Sequence, residues 1–141
     1  KIMLWNYKDC KIGDQIPTLE IDALQQSDLI LYAKASGDHN QIHTDPIFAK
    51  KSGLPNVIAH GMLVMSFLGR MLTNLVPHSN IVNFSVQFSN MTHLNQALVC
   101  KGKVVERSLV DNKEMIRVKL IVEDMEGQKK LLGHSSIRIE S

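Results

Sequence analysis

The sequence predicts an α+β fold in which helices come first and an antiparallel meander follows. The first observation is a helical pattern over Gly61–Val76, in which apolar side chains cover more than half of the circumference. The second is the change after Pro77 to a period of two, which recurs in several segments. A helix that is apolar on most sides has to be buried, so we expect the sheet to wrap around it.

Length and composition indicate one globular domain, which we place at residues 1–141. The formal net charge is +2, and no basic block or interleaved aromatic pattern indicates nucleic-acid binding. Polar residues such as Ser66 and Arg70 interrupt the long apolar run, so we expect no membrane span. No signal peptide is visible at the start of the sequence. Cys10 and Cys100 lack metal-ligand spacing, and the sequence leaves open whether they form a disulfide. We expect a reducing, cytoplasmic setting.

Two elements are predicted in the first part of the chain. Gln15–Ile21 is expected to be extended, and Pro17 suits a sheet edge better than a central strand because proline lacks the N–H that a ladder needs. Ser27–Ala35 is predicted to be a helix with Ser27 as its N-cap. Gly37 is placed to end this helix as a C′ glycine.

A polar loop over Asp38–Thr44 comes next, and a second helix follows it. Asp45 is the expected N-cap, and Pro46 takes the first helical position. The helix has to be short, because glycine and proline soon follow it. Its apolar side chains and that of the next loop are expected to pin the segment to the core: Ile47, Phe48 and Leu54.

After Pro77 we predict four strands, at residues 82–88, 98–107, 116–123 and 128–139. Asp111-Asn112 is the expected turn between the second and third of these, and Gly102 is expected to mark a bulge. A curved antiparallel sheet that encloses one long helix is the hot-dog architecture, which is therefore the predicted fold.

Residues 36–61 carry the candidate chemistry. Asp38 and His43 can divide acid and base roles if they face one substrate. On a helix their spacing would place them on different faces, so a turn has to bring them together. Gly37 frees the chain before this turn, and Asn40 can form it by bonding its own backbone. The alternative is that Asp38 only caps a backbone turn and that His43 is a satisfied surface residue.

The start of the long helix offers a second functional group. The first N–H groups of a helix lack partners and carry positive potential, and Gly61 has no side chain to block approach. Its N–H could therefore hold a developing oxyanion. The alternative is that Gly61 is small so that another element can pass. His60 could be a second base, but a structural histidine packed against the loop is the simpler interpretation.

Metal binding is a further candidate for Asp38, His39, His43 and His60. No pair of them has the i, i+4 helical spacing of zinc enzymes, and no cysteine joins them. We therefore predict that no metal is bound. The seven methionines are expected to fill the core rather than to form a cofactor site.

Residues 32–45, which read YAKASGDHNQIHTD, closely resemble the signature of the MaoC-like, or hydratase 2, family. That pattern runs aromatic, Ala, then S/T-G-D-x-N-P-I-H-x-D, with an Ala a few residues on, which Ala49 matches. Residues 59–62 are similar to the family's A/V-H-G-M helix entry, and residues 83–88 resemble its first strand after the helix. One departure is Gln41, where the family usually has Pro.

The resemblance implies a hot-dog homodimer that hydrates trans-2-enoyl-CoA to (R)-3-hydroxyacyl-CoA, or runs the reverse dehydration. It implies that Asp38 and His43 hold and activate the water and that the Gly61 N–H polarises the thioester carbonyl. Asn40 would shape the loop, and His60 would belong to the substrate-binding helix entry. The substrate would be a thioester of coenzyme A or of acyl carrier protein, with no other cofactor. Two alternatives stay open: a hot-dog acyl-CoA thioesterase and a non-catalytic acyl-thioester-binding subunit.

Overall fold

The structure is a computed structural model that describes residues 5–139. The strands within these residues are β1 (Gln15–Ile21), β2 (Ile81–Phe88), β3 (Leu98–Val110), β4 (Lys113–Asp124) and β5 (Lys129–Arg138). The α-helices of the same range are α1 (Gln26–Ser36), α2 (Pro46–Lys51) and α3 (Gly61–Leu75). Short 3₁₀ turns lie at Gln41–His43 and His78–Asn80. The strands form an antiparallel sheet in the order β1-β3-β4-β5-β2.

Helix α3 supplies the centre of the core and contacts strands β1 to β4. Its polar arc, which includes Ser66 and Arg70, stays exposed. Full burial of one large apolar side chain stabilises a fold by about 1.5–3 kcal/mol, so this helix–sheet contact is a main source of stability. The arrangement confirms the predicted α+β class and the hot-dog fold. The buried helix side chains are Val64, Phe67, Leu68, Met71 and Leu72.

The chain builds the sheet in an order that the sequence pattern did not predict. Only β3, β4 and β5 follow one another as a meander, whereas β2 pairs with β5 and β1 pairs with β3. Strands β1 and β2 are therefore the two edges, and the predicted edge position of Pro17 is confirmed. The predicted turn at Asp111-Asn112 is also confirmed, with φ values of 53° and 64° that Asp and Asn tolerate better than most residues.

The predicted bulge at Gly102 is wrong. Gly102 pairs regularly with Leu120 of β4, and the irregularity in that ladder falls between Val104 and Glu106. In the ladder with β1 the register does shift next to Gly102, between the pairs Ile16–Gly102 and Leu19–Cys100, but the extra residue lies in β1. A Cβ atom at Gly102 would lie 2.5 Å from Cδ1 of Ile16. The glycine therefore allows the close approach of β1 to β3.

The N-cap predicted at Ser27 is also wrong, because helix α1 has Gln25 at that position. The Asp28 carboxylate accepts a hydrogen bond of 2.8 Å from the Gln25 N–H, and this contact fixes where the helix starts. Gly37 ends the helix as predicted, in the left-handed conformation with φ of 79°, and its N–H donates to the Ala33 carbonyl.

Helix α2 has the predicted Asp45 cap, but it is less tightly packed than expected. Ile47 and Phe48 are 68% and 39% exposed, so the prediction that they pin the segment to the core is wrong. Ala49 is buried instead, and Leu54 packs against the core as predicted. The Asp45 carboxylate accepts from the next helical N–H groups, as an N-cap does.

Cys10 and Cys100 are both buried and free, so the disulfide that the sequence left open does not form. Burial raises the pKa of the Cys100 thiol to about 12. This thiol is therefore uncharged at neutral pH and behaves as a small core side chain. Across residues 5–139, the helices fall short of the length and hydropathy that a membrane span requires.

Candidate active site

A hydrogen-bonded turn after α1 brings Asp38 and His43 together. Oδ1 of Asp38 accepts from the Asn40 N–H at 3.2 Å, and Oδ1 of Asn40 accepts from the Ile42 N–H at 3.1 Å. The His43 N–H then donates to the Asn40 carbonyl at 3.1 Å. As a result, Oδ2 of Asp38 lies 4.0 Å from Nε2 of His43. Asn40 forms the turn as predicted. Asp38 also makes the turn-capping hydrogen bond that the alternative interpretation of this loop expected.

The ring of His43 is held in one orientation. Its side chain is 9% exposed, and its Nδ1 lies 2.7 Å from the Ile58 carbonyl oxygen. A carbonyl oxygen can only accept, so Nδ1 carries the hydrogen in the neutral ring and Nε2 is left as an acceptor. The Ile58 N–H donates to the Ile42 carbonyl at 3.1 Å, which ties the extended segment before α3 to the turn. The acceptor nitrogen of His43, Nε2, is therefore the one that lies 4.0 Å from the Asp38 carboxylate.

His60 is packed against this pair. It is 1% exposed, its Nε2 lies 3.3 Å from the backbone carbonyl of Asp38, and its ring stacks on that of His43 with centroids 3.8 Å apart. Tyr32 meets the His60 ring edge-on at a centroid distance of 4.8 Å. Burial lowers the pKa of His60 below its ordinary value of 6.5, and the neighbouring His43 lowers it further. His60 is therefore neutral at physiological pH.

A cavity of about 420 Å³ opens beside His43 and Gly61, which both line it. Segment Ile58–Ala59 lies on the same side, and Phe88 with the segment Ser89–Thr92 forms another wall. The Ala59 N–H donates to the Thr92 carbonyl at 2.8 Å and joins these walls. Asp38 and His60 do not line the cavity: the Asp38 side chain is 51% exposed to solvent, and His60 is buried against His43.

Gly61 begins helix α3, with His60 as the N-cap. Its N–H belongs to the first turn, where the helix itself provides no carbonyl partner, and it carries part of the positive helix dipole. A Cβ atom at this position would lie 2.8 Å from Cε1 of Phe88. Gly61 is thus small for two compatible reasons: its backbone faces the cavity, and the Phe88 ring lies against it.

The sequence analysis missed Lys130, whose side chain is fully buried at the cavity wall. Its Nζ donates to the Met91 carbonyl at 2.9 Å and to Oε1 of Gln128 at 2.6 Å, and it lies 3.4 Å from Oδ2 of Asp124. Lys130 thus holds the Ser89–Thr92 wall in place. A lysine that follows another lysine at the start of a strand gives no sequence signal of such burial.

Asp124 completes this buried ion pair. Burial alone would raise the pKa of its carboxyl group, but hydrogen bonds from the backbone N–H groups of Gln128 and Glu126 and from the Lys130 ammonium lower that pKa below its usual value. The amide of Gln96 adds a further bond of 3.2 Å. Asp124 is therefore charged at neutral pH and lies against the Lys130 side chain as its ion-pair partner.

The fold brings three groups that can bind metals close together, which the residue spacing did not indicate. One ligand atom from each of Asp38, His43 and His60 lies within 4.8 Å of the others, whereas His39 is exposed and outside the group. The two rings are stacked 24° from parallel, so their in-plane lone pairs lie in two nearly parallel planes. A tetrahedral ion needs lone pairs that converge on one point. The donor set therefore fits a metal poorly.

Comparison with known proteins shows the family of the chain. Residues 10–125 match the family model described as the MaoC like domain. The mitochondrial 3-hydroxyacyl-[acyl-carrier-protein] dehydratase of Arabidopsis thaliana is 29% identical over 107 residues, covering 76% of this chain and 63% of the relative. The peroxisomal enoyl-CoA hydratase 2 of the same species is 46% identical over 43 residues, covering 30% of this chain and 14% of the relative.

The chain thus spans less than two thirds of the length of both relatives. Among solved structures, R-hydratase PhaJ1 from Pseudomonas aeruginosa has the same fold, with a TM-score of 0.80 and 22% identity over 94% of this chain and 83% of that one. Because the family model covers most of the sequence, the chain belongs to the family of MaoC-like domains.

Proposed function

We propose that the protein hydrates trans-2-enoyl thioesters to (R)-3-hydroxyacyl thioesters, or catalyses the reverse dehydration. The observation that carries this proposal is the pair of proton acceptors, Nε2 of His43 and Oδ2 of Asp38, 4.0 Å apart beside a helix N-terminus. Such a site supplies what addition of water to a conjugated thioester needs: a held water, a proton acceptor and an oxyanion donor.

The two acceptors can hold one water between them. An oxygen at about 2.8 Å from each fits into their 4.0 Å separation, and each acceptor can take one of its hydrogens. The carboxylate of Asp38 and the unprotonated Nε2 of His43 both favour removal of a proton from this water as its oxygen attacks the β-carbon. The protonated member of the pair then returns that proton to the α-carbon, so the net change is the addition of one water.

The Gly61 N–H stabilises the charge that develops during attack. As the water oxygen bonds to the β-carbon, the electron pair of the double bond shifts toward the carbonyl and places negative charge on the thioester oxygen. A first-turn N–H at a cavity wall is where that charge is best accommodated. The electrons stay within the conjugated substrate, so the reaction needs no redox cofactor.

The substrate class follows from the family and from the relatives' names, one of which refers to acyl carrier protein and the other to coenzyme A. A water held on one face of a bound enoyl group gives one stereoisomer, and the resemblance to hydratase 2 enzymes assigns it as (R). Coenzyme A or acyl carrier protein enters as part of the substrate.

Incubation with crotonyl-CoA tests the proposal. Loss of enoyl absorbance without release of free thiol, with (R)-3-hydroxybutyryl-CoA as the product, is the expected result. Release of free thiol would instead identify a thioesterase. Binding of acyl-CoA over a series of chain lengths without any turnover would identify a non-catalytic acyl-binding subunit, and either outcome would overturn the proposal.

We further propose a homodimer that pairs through the edge strand β2. One side of β2 pairs with β5, and the other side is open within the described residues, so its N–H and C=O groups are available for strand pairing. Two apolar residues of this strand, Val82 and Phe88, are 47% and 53% exposed in the single chain. A second copy, related by two-fold symmetry, would cover both the open strand edge and these apolar side chains.

Sedimentation at micromolar concentrations should therefore show a dimer. Val82→Lys, at the open edge, should shift the equilibrium toward monomer, whereas Val110→Lys should leave it unchanged. Val110 ends β3 at the turn to β4, pairs with Lys113 and is 46% exposed, so it provides a control with the same chemical change. A monomer throughout the wild-type concentration series would contradict the proposed assembly.

Prolonged treatment with a chelator should leave hydratase activity unchanged. In the proposed mechanism Asp38 and His43 act directly on water, and the near-parallel His43 and His60 rings are poorly oriented for one ion. The measurement is the initial rate with crotonyl-CoA before and after dialysis against EDTA. Loss of activity that a divalent ion restores would show that the acid–base assignment is wrong.

A further inference from the structure

His60 is buried in a way that simple packing does not explain. It is 1% exposed, and its Nδ1 has no hydrogen-bond partner among the residues that the structure describes. Buried polar atoms are nearly always paired, and an unpaired one destabilises the fold. A phenylalanine could fill most of the same volume without this penalty. The imidazole is therefore expected to have a role that an apolar ring lacks.

The contacts of His60 show what that role can be. Its Nε2 faces the backbone carbonyl of Asp38 at 3.3 Å, and a carbonyl only accepts, so Nε2 carries the hydrogen. The same ring covers one face of His43, with centroids 3.8 Å apart. Tyr32 of α1 meets the His60 ring edge-on. His60 thus contacts both members of the proposed acid–base pair, which lie on a separate segment of the chain.

The charge state of His60 suits this contact. The ionisable groups around it are Tyr32 from α1 and Asp38 and His43 from the turn, and two imidazolium rings stacked at 3.8 Å would repel strongly. A neutral His60 with hydrogen on Nε2 can keep its bond to Asp38 while His43 gains and loses a proton. A charged one would oppose that proton transfer.

We propose that His60 is a positioning residue for the hydration reaction. As a neutral ring it anchors the Asp38 backbone through Nε2 and fixes the plane of His43 by stacking, so that both acceptors face the same water. The inference rests on the proposed function, since it assigns a role within that mechanism. It also explains why the unpaired nitrogen is His60 Nδ1, because the contact to Asp38 uses the other nitrogen.

Two substitutions separate the hydrogen bond from the ring. His60→Gln retains an N–H donor at about the position of Nε2, and His60→Phe retains a stacked ring without a donor. We expect His60→Phe to lower kcat between about 10- and 100-fold, the scale on which misplaced catalytic groups lose rate, with KM changed much less. His60→Gln should recover a substantial part of that loss. His78→Gln, at an exposed position after α3, is the control and should have the wild-type rate.

The pH profile of kcat/KM distinguishes positioning from direct catalysis. Both active variants should keep the inflections of the wild type, because the groups that titrate in the reaction are unchanged. Loss of an inflection in His60→Gln, with a rate as low as that of a His43 variant, would make His60 itself the base. Full activity in His60→Phe would show that the ring only fills space. Either result would overturn the proposal.

Imidazole ¹⁵N spectra give a readout that does not depend on activity. The His43 signals should indicate hydrogen on Nδ1 in the wild type and in His60→Phe, which keeps the stacked ring, and they should shift or broaden in His60→Gln, which lacks that ring. Unchanged His43 signals in a folded His60→Gln protein would contradict the positioning role. If the wild type hydrates no substrate but these spectral changes occur, the proposed function fails while the structural coupling of His60 to His43 stands.

Discussion

We expect Asp38→Asn to lower kcat for hydration by about a hundredfold or more, the usual scale for general acid–base catalysis. Asparagine keeps the shape of the side chain and an oxygen that can accept from the Asn40 N–H, a bond of 3.2 Å in the wild type. The turn should therefore stay folded. What is lost is the charged acceptor that lies 4.0 Å from Nε2 of His43. KM should change much less, because Asp38 is not part of the cavity lining.

His43→Gln should have an effect of the same size, since glutamine keeps hydrogen-bonding groups but cannot titrate near neutral pH. If Asp38 and His43 hold one water and share one proton transfer, they act as a unit. The double variant should then be little worse than the poorer single variant. Asp45→Asn is a matched control from the same loop. Asp45 caps α2, and asparagine caps helices about as well, so the wild-type rate is expected.

The measurement is turnover of crotonyl-CoA by the four variants, with thermal melts alongside. Melting temperatures at or above that of the wild type are expected for Asp38→Asn, because active-site charges are often held at some cost to stability. A near-normal kcat for this variant would leave Asp38 only its turn-capping hydrogen bond and contradict the mechanism. Inactivity caused by unfolding would make the pair structural, and the proposed function would lose its main support.

The elements whose residue pattern is set by burial could be predicted from the sequence. Helix α3 ends one residue before the predicted boundary, and the last three strands lie where the period of two placed them. Strands β3 and β4 extend beyond their predicted bounds, whereas β5 is one residue shorter at each end. The turn between α1 and α2 was also predictable, because Gly37 and Asn40 act on their own backbone. Local chemistry is sufficient for such features.

Features that depend on distant contacts could not be predicted. The pairing of β2 with β5 rather than with β3 joins segments about fifty residues apart, and the need for Gly102 is set by Ile16 on another strand. In the site, the stack of His60 on His43 and its contact with the Asp38 carbonyl link two segments whose sequence separation carries no periodic signal. The residue types were visible in the sequence, but their geometry was not.

Lys130 is the clearest case of this kind, and its replacement should have the largest effect on stability. We expect Lys130→Met to lower the free energy of unfolding by about 3 kcal/mol, near the lower end of the range for breaking a buried ion pair. Methionine fills a similar volume but leaves the Asp124 charge without a counterion and the Met91 carbonyl without its donor. Asp124 keeps its two backbone hydrogen bonds of 2.9 Å, which is why the lower end is expected.

Urea unfolding at pH 7 measures this loss, with Lys129→Met as the control. Lys129 is the preceding residue and is exposed, so the same chemical change should alter stability by less than about 0.5 kcal/mol. An equally small change for Lys130→Met would show that the ammonium contributes little to the fold. Its contacts with the Ser89–Thr92 wall would then be incidental.

The double variant Lys130→Met/Asp124→Asn tests whether the loss comes from an uncompensated charge. Asparagine keeps an oxygen that can accept from the Glu126 and Gln128 N–H groups but removes the charge that Lys130 neutralised. The double variant should therefore be more stable than the sum of the single effects predicts, with a coupling of roughly 1–3 kcal/mol. Strict additivity would assign the loss to the Met91 and Gln128 contacts instead.

Because Met91 and its neighbours line the cavity, KM for the enoyl thioester should rise in Lys130→Met more than kcat falls.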